Sequence, residues 1–378
     1  MILFRSYRRF FWLALTGIGL IALVNVLTWY LAASKVLSGA PDIGDLARMG
    51  YLPAYVADGK PGGTLPPGSK HLEYWQYQGQ PVDIVTIGDS FSQGGGWSYY
   101  QDYLAESQKM TILNLSELFW YPKLTDRFDP VVNLLNAGEF DRLRPKYLLI
   151  QNVERLADAL AADVDWEARE RAGDYLEYLA QRQRETRLET PVKKGIFNLG
   201  NVKYLYNKPF YYFAHHDYRR RIYKVRLDKN FFSGRHGDGL LFHFEDLKWA
   251  RRYTPAMAEK INANLNELAH RLAARGIGLC FMPAVDKYNL YREFFAEDLD
   301  YPVASLFADL EGLEKDYILI NTRSILLEQV RRGELDIFWQ DDTHWSWKAG
   351  AAIAEAVHLP PVPPLFAKGV RPSPVRAE

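Results

Sequence analysis

Apolar residues occur along this chain in three patterns. The first is a single long run: residues 10–34 include no charged side chain, about 25 positions, enough for a helix to cross roughly 30 Å of hydrocarbon. The second is a set of short runs rich in β-branched residues, at 83–88, 111–116, 146–153, 277–283 and 316–321. Each is continuous rather than alternating, as strands buried on both faces are. The third is a helical stripe of Met257, Ile261, Leu265, Leu268 and Leu272, with Thr254 and Pro255 as a start signal and Gly276 as a stop. Five buried strands with helical crossovers predict an α/β domain built on a five-stranded parallel sheet flanked by helices. In such sheets ligands bind beyond the carboxyl ends of the strands.

Other segments lack these patterns. Residues 35–80 carry "KPGG", "LPPGSK" and scattered aromatics without period, and are expected to pack on the domain as a lead-in segment. Residues 164–187 are strongly charged at helical spacing and predict a solvated helix. Residues 201–226 mix aromatic with basic side chains between the third and fourth strands, within an insertion spanning about 190–245. The last stretch, 359–378, is proline-rich and reads as an extended tail. The expected organisation is a short N-terminus (1–9), a membrane anchor (10–34), the lead-in (35–80), one catalytic domain (81–358) and the tail.

Flanking charge orients the anchor. Arg5, Arg8 and Arg9 precede it, whereas Lys35, Asp42 and Asp45 follow, so the N-terminus is expected in the cytoplasm and the domain outside. Trp12, Trp29 and Tyr30 lie where interfacial aromatics belong. A cleaved signal peptide is the competing expectation, although the apolar core is longer than the usual 7–15 residues or so. With 46 basic and 46 acidic residues there is no global field to attract a polyanion or nucleic acid. The lone Cys280, inside an apolar run, excludes an internal disulfide framework and a multi-cysteine zinc site.

The candidate chemistry sits at two strand edges. Ser90, in "IGDSFSQGGGW", follows the first predicted strand directly. A serine hydroxyl becomes nucleophilic when an imidazole takes its proton and a carboxylate holds that imidazole. Near the other end, "FWQDDTHWSW" contains His344 after Asp341 and Asp342, and one helix after the fifth strand returns it to the edge where Ser90 lies. Either aspartate can fix the tautomer. Backbone amides at Gly94 and Gly95, and the side chain of Asn152 at the end of the third strand, are candidate oxyanion donors. Tyr211, Tyr212 and Arg220 of the insertion are candidates to meet sugar rings and anionic groups. The adjacent His215 and His216 do not suggest a metal site, and no cofactor or metal is called for.

"IGDSFS" and "DDTHW" resemble the first and last blocks of the SGNH (GDSL-like) hydrolase superfamily. The terminal Asp342-Thr343-His344-Trp345, followed by Gly350, is most similar to its bacterial polysaccharide O-acetyltransferase branch, the alginate O-acetyltransferase-like proteins. A Pro-x-x-x-Lys-x-x-x-Tyr element of that branch is matched by Pro283, Lys287 and Tyr291. The resemblance covers roughly 82–357 and implies an SGNH-like fold with Ser90 as nucleophile, His344 as base and Asp342 as its orienting carboxylate. The general superfamily spacing would choose Asp341 instead. Lys287 and Trp345 become candidate substrate contacts. Block order differs from the alginate enzymes, because Ser90 here precedes the Asp-His pair.

The expected function is a membrane-anchored, extracytoplasmic transfer of acetyl onto hydroxyls of an envelope or secreted polysaccharide through an acyl-serine. A multi-spanning membrane O-acyltransferase is the implied source of the acyl group. The alternatives are an esterase using the same triad with water, and a membrane-tethered glycan-binding scaffold.

Overall fold

In a computed structural model, which describes residues 2–37, 43–53, 55, 70–188, 195–213 and 221–360, all five continuous apolar runs become strands of one sheet. With them lies β1, Leu72–Glu73. The predicted strands are β2 (Ile84–Ile87), β3 (Ile112–Asn114), β4 (Tyr147–Val153), β7 (Gly278–Ala284) and β8 (Ile318–Leu319). A separate antiparallel hairpin is formed by β5 (Ile222–Arg226) and β6 (Gly239–His243). The main sheet is parallel throughout, in the order β1-β3-β2-β4-β7-β8. Among the described residues it has six strands rather than the expected five. The extra pairing, Leu72 with Leu113 and Glu73 with Asn114, is two residues long and leaves no periodic trace in the lead-in.

Strand order determines where a ligand can enter. From β2 the chain crosses to β3 on one side, then returns to place β4 on the other. The two crossovers leave the carboxyl end of β2 uncovered, which is the topological switch point of an open α/β sheet. Ser90 follows β2 by three residues.

Alternate strand residues feed two cores. Val85, Ile87, Leu148 and Ile150 pack under the Pro255–Ala273 helix, where Ile261, Leu265, Leu268 and Leu272 are buried as their stripe predicts. Thr254 occupies the cap position of that helix, but its side chain makes no capping hydrogen bond. Ile84, Leu149, Cys280 and Met282 face the opposite core, with the Tyr100–Gln108 and Trp347–Ala356 helices. The charged segment is helical from Ala172 to Leu188. It is not solvated all round, since Tyr175 and Leu179 enter the first core.

The N-terminal helix runs Ile2–Thr28 and continues through a π-helical turn, Trp29–Ala33, into Ser34–Leu37. Its 7–37 portion is apolar enough and long enough to cross a membrane. Beyond Asn25 one side packs on the protein, with Ala33, Val36 and Leu37 against Tyr204 of the insertion. The tail from 361 onward lies outside the described residues.

Candidate active site

Ser90 opens a single 3-10 turn, Ser90–Ser92. The turn is held by Asp89. Its carboxylate accepts hydrogen bonds from the amides of Phe91 (3.1 Å) and Val153 at the end of β4 (2.6 Å). Gln151 Oε1 accepts from the Asp89 amide and from Ser92 Oγ. Gly88 precedes it because a Cβ there would lie 2.2 Å from Ser92 Oγ.

The histidine arrives on a closed loop. Phe338 and Trp345 form an antiparallel bridge, and Ser346 caps the Trp347–Ala356 helix by accepting from the Lys348 amide. That helix packs on the Tyr100–Gln108 helix, with Gly350 against Tyr100 and Tyr103. The elements following the serine and the histidine therefore pack on each other, and two side chains 254 positions apart meet.

Ser90 Oγ lies 2.7 Å from His344 Nε2, and His344 Nδ1 lies 2.6 Å from Asp342 Oδ1. With the proton assigned to Nδ1, the imidazole donates to Asp342 and accepts from the serine hydroxyl. The His344 amide also donates to Asp342 Oδ1 (2.9 Å), which locks the carboxylate to the loop that carries the ring. Asp341 does not face the ring; its Oδ2 accepts from the Gly44 amide at 3.1 Å. Burial opposes charge on His344, yet the facing Asp342 carboxylate outweighs it and holds the imidazole above its ordinary pKa. Burial also works against ionised Asp342, but charge and hydrogen bonds from His344 keep it well below the carboxylate range.

A second carboxylate comes from the lead-in. Asp45 starts the Asp45–Gly50 helix. Its amide donates to Asp342 Oδ2 (2.9 Å), and its side chain accepts from the Thr343 amide (2.7 Å) and hydroxyl (2.5 Å), 3.7 Å from His344 Nδ1. Burial and the like charge of Asp342 raise the Asp45 pKa. The strap fits closely: a Cβ on Gly44 would stand 2.0 Å from the Asp341 carbonyl oxygen. Sequence reasoning missed Asp45 because its place in the site rests on contact with Thr343, 298 positions away, which no local pattern reports. Asp45, Asp342 and His344 offer donor atoms within 4.8 Å of one another, the geometry of a small cation site. Those atoms are already engaged by Nδ1–H, Thr343 and backbone amides.

The remaining candidates divide. Gly94 takes φ +76°, and Gly95 lies against the imidazole, where a Cβ would be 2.3 Å from His344 Cδ2. Close approach of the ring thus explains Gly95 sterically. Asn152 is buried, with Nδ2 donating to the adjoining Val153 carbonyl (2.9 Å). Lys287 and Trp345, expected to meet substrate, are both buried. Lys287 Nζ donates to the carbonyls of Trp339 (2.6 Å), Gln340 (2.8 Å) and Asp342 (3.2 Å), so it pins the histidine loop. Trp345 packs edge-on against Phe91, beside the nucleophile turn. Both position the site rather than line it. Tyr211 is buried on Tyr55, whereas Tyr212 is exposed; both line a cavity of about 290 Å³ in the insertion whose walls include neither Ser90 nor His344. Arg220, His215 and His216 lie outside the described residues.

A larger hollow of about 460 Å³ adjoins the nucleophile turn through Gln93 and Tyr99, with His71, Glu73, Asp102 and Asn114 among its walls. His71 bridges Asp102 (2.8 Å) and Glu73 (2.9 Å), and its ring packs at a tilt against Tyr99. Burial disfavours its charge, but the two carboxylates raise its pKa to about 9.

Residues 237–360, the part that carries Lys287, Asp342 and His344, match the family model described as the SGNH hydrolase-like domain of acetyltransferase AlgX; Ser90 falls outside that match. No curated protein and no solved structure is significantly similar to the chain. Parallel α/β sheet and family match point the same way: over residues 237–360, its histidine-bearing portion, the chain is similar to the SGNH hydrolase-like domain of acetyltransferase AlgX.

Proposed function

We propose that this protein is a membrane-anchored, serine-dependent O-acetyltransferase acting outside the cytoplasm on hydroxyls of an envelope or secreted polysaccharide. The observation that carries it is the continuous hydrogen-bonded chain from Ser90 Oγ through His344 to Asp342, at the edge of the sheet where ligands enter. AlgX likeness favours acetyl as the group moved.

In this mechanism Ser90 Oγ attacks the acyl carbonyl while its proton passes to His344 Nε2. The tetrahedral oxyanion collapses, the bond to the donor's leaving group breaks, and His344 returns the proton to that group. An acceptor hydroxyl then gives its proton to His344 and attacks the acyl-serine, and Oγ departs and is reprotonated. Asp342 holds the tautomer and stabilises the imidazolium in both halves. The raised His344 pKa makes it a stronger base. The polar hollow beside Gln93 and Tyr99 is where this reading seats the acceptor, with amide and carboxylate partners for hydroxyl groups. The Phe10–Ser34 segment anchors the chain with its N-terminus in the cytoplasm, and a multi-spanning membrane acyltransferase delivers the acyl group.

The test uses the full chain in detergent with an activated acetyl ester and intact-mass detection. Wild type gains one acetyl group and Ser90→Ala does not; added oligosaccharide discharges the acetyl-enzyme faster than water. Discharge by water alone would assign an esterase. An unmodified wild-type chain that leaves the ester intact would reject the serine mechanism and leave a glycan-binding scaffold.

A further inference from the structure

The insertion helix Leu199–Phe213 has two unlike faces. Gly200, Tyr204, Asn207 and Tyr211 recur at helical spacing and are buried against the protein. On the opposite side Leu199 is 78% exposed, Val202 54% and Phe213 85%. Large apolar side chains lined along one exposed face mark an interaction surface. The helix contains Lys203 and Lys208, both exposed, and no acidic residue, as in helices that lie in a lipid interface.

Its depth points the same way. Asn201, in the first turn, donates through Nδ2 to Asn25 Oδ1 of the N-terminal helix (3.2 Å). At ~1.5 Å per residue, Asn25 stands only about 22 Å along the helix from Phe10, inside a hydrocarbon layer of roughly 30 Å. Tilt would bring it lower still. If residues 10–34 cross the bilayer, the insertion helix cannot stand clear of it, and the Asn25–Asn201 pair satisfies polar groups at that level. Just above, Ala33, Val36, Leu37 and Tyr204 continue the contact.

We infer that the Leu199–Phe213 helix lies in the extracytoplasmic interface of the membrane with Leu199, Val202 and Phe213 in contact with lipid. It serves as a second attachment that sets the height and tilt of the domain above the bilayer. A charged lysine pair would favour anionic headgroups. The inference rests on the anchor assignment and is independent of the acetyl chemistry.

The full chain, reconstituted into phosphatidylethanolamine vesicles containing phosphatidylglycerol, tests it. Single cysteines replace Val202, Phe213, Ile18 or Arg332 and carry an environment-sensitive fluorophore; Cys280 is buried and stays in place. Labels at Val202→Cys and Phe213→Cys are expected to emit blue-shifted light, to be quenched by lipid-borne nitroxide, and to resist aqueous iodide. Ile18→Cys reports the span and Arg332→Cys the aqueous phase. Iodide access at 202 and 213 equal to that at 332, with 18 still quenched by lipid, would overturn the inference. Shielding of 202 and 213 from both quenchers would overturn it too, in favour of a covering protein segment or a second copy. An aqueous label at 18 would remove the anchor itself.

Discussion

Two aromatic-rich stretches of this chain behave in opposite ways. In the 338–345 loop, Phe338, Trp339 and Trp345 are all buried. In the Leu199–Phe213 helix, Leu199, Val202 and Phe213 face outward. Both sequences suggested contact with a substrate. The loop spends its aromatics on rigidity: Trp345 wedges beside Phe91, and Lys287 ties three loop carbonyls together. Such packing holds His344 within 2.7 Å of a serine on a different element. The helix leaves its apolar face open to a second phase. Aromatic content alone does not distinguish a precise site from an adhesive surface; the neighbours that cover the rings do.

The comparison is broken most severely at the carboxylate. Asp342→Asn keeps the size of the side chain but removes its charge and one of its two acceptor oxygens, so that an NH2 group must face either His344 or the Asp45 amide, and acyl-enzyme formation in a stopped-flow ester assay should fall ~10³–10⁴-fold. A loss below tenfold would show that Asp342 does not orient the base. Next comes packing. Trp345→Ala should destabilise the folded domain by about 3–5 kcal/mol, whereas Phe213→Ala should change it by less than about 0.5 kcal/mol. Denaturant unfolding in detergent measures both, and equal costs would erase the distinction between the two stretches.

Smaller effects are read through pH. His71 is held above its unfolded value, so its pairing with Asp102 and Glu73 stabilises fully below about pH 6.5 and is lost as pH rises through about 9. The melting-temperature gap between wild type and His71→Gln should therefore be wide near pH 6 and narrow near pH 9.5. A gap independent of pH would mean that His71 acts by shape alone. Asp45 adds to the field that raises the His344 pKa. Since the neutral imidazole is the active base, activity rises with pH through that pKa. Asp45→Asn should move the rising limb of kcat/KM to lower pH while Ser90 still acylates. An unmoved limb would confine Asp45 to tying down Thr343.

Much of the architecture is written in local patterns. A strand buried on both faces must be apolar without interruption, so β2, β3, β4, β7 and β8 were all legible. The same holds for the stripe of the Pro255–Ala273 helix and for the long uncharged run at the N-terminus. Ser90 and His344 could be picked out because both were expected at one edge of the sheet, each with chemistry in its immediate neighbours. Asp342 could be ranked over Asp341 only through resemblance.

What could not be read depends on contacts between distant segments. Asp45 meets Thr343 across 298 positions, and the two residues of β1 find β3 only once the sheet exists. Lys287 and Trp345 looked like substrate contacts because a cation and an indole carry the same signal whether they face a ligand or fill a core. Burial and hydrogen bonding assign them to the frame. Periodicity reports which side of an element is apolar, and says nothing of which other element, or which phase, that side will touch.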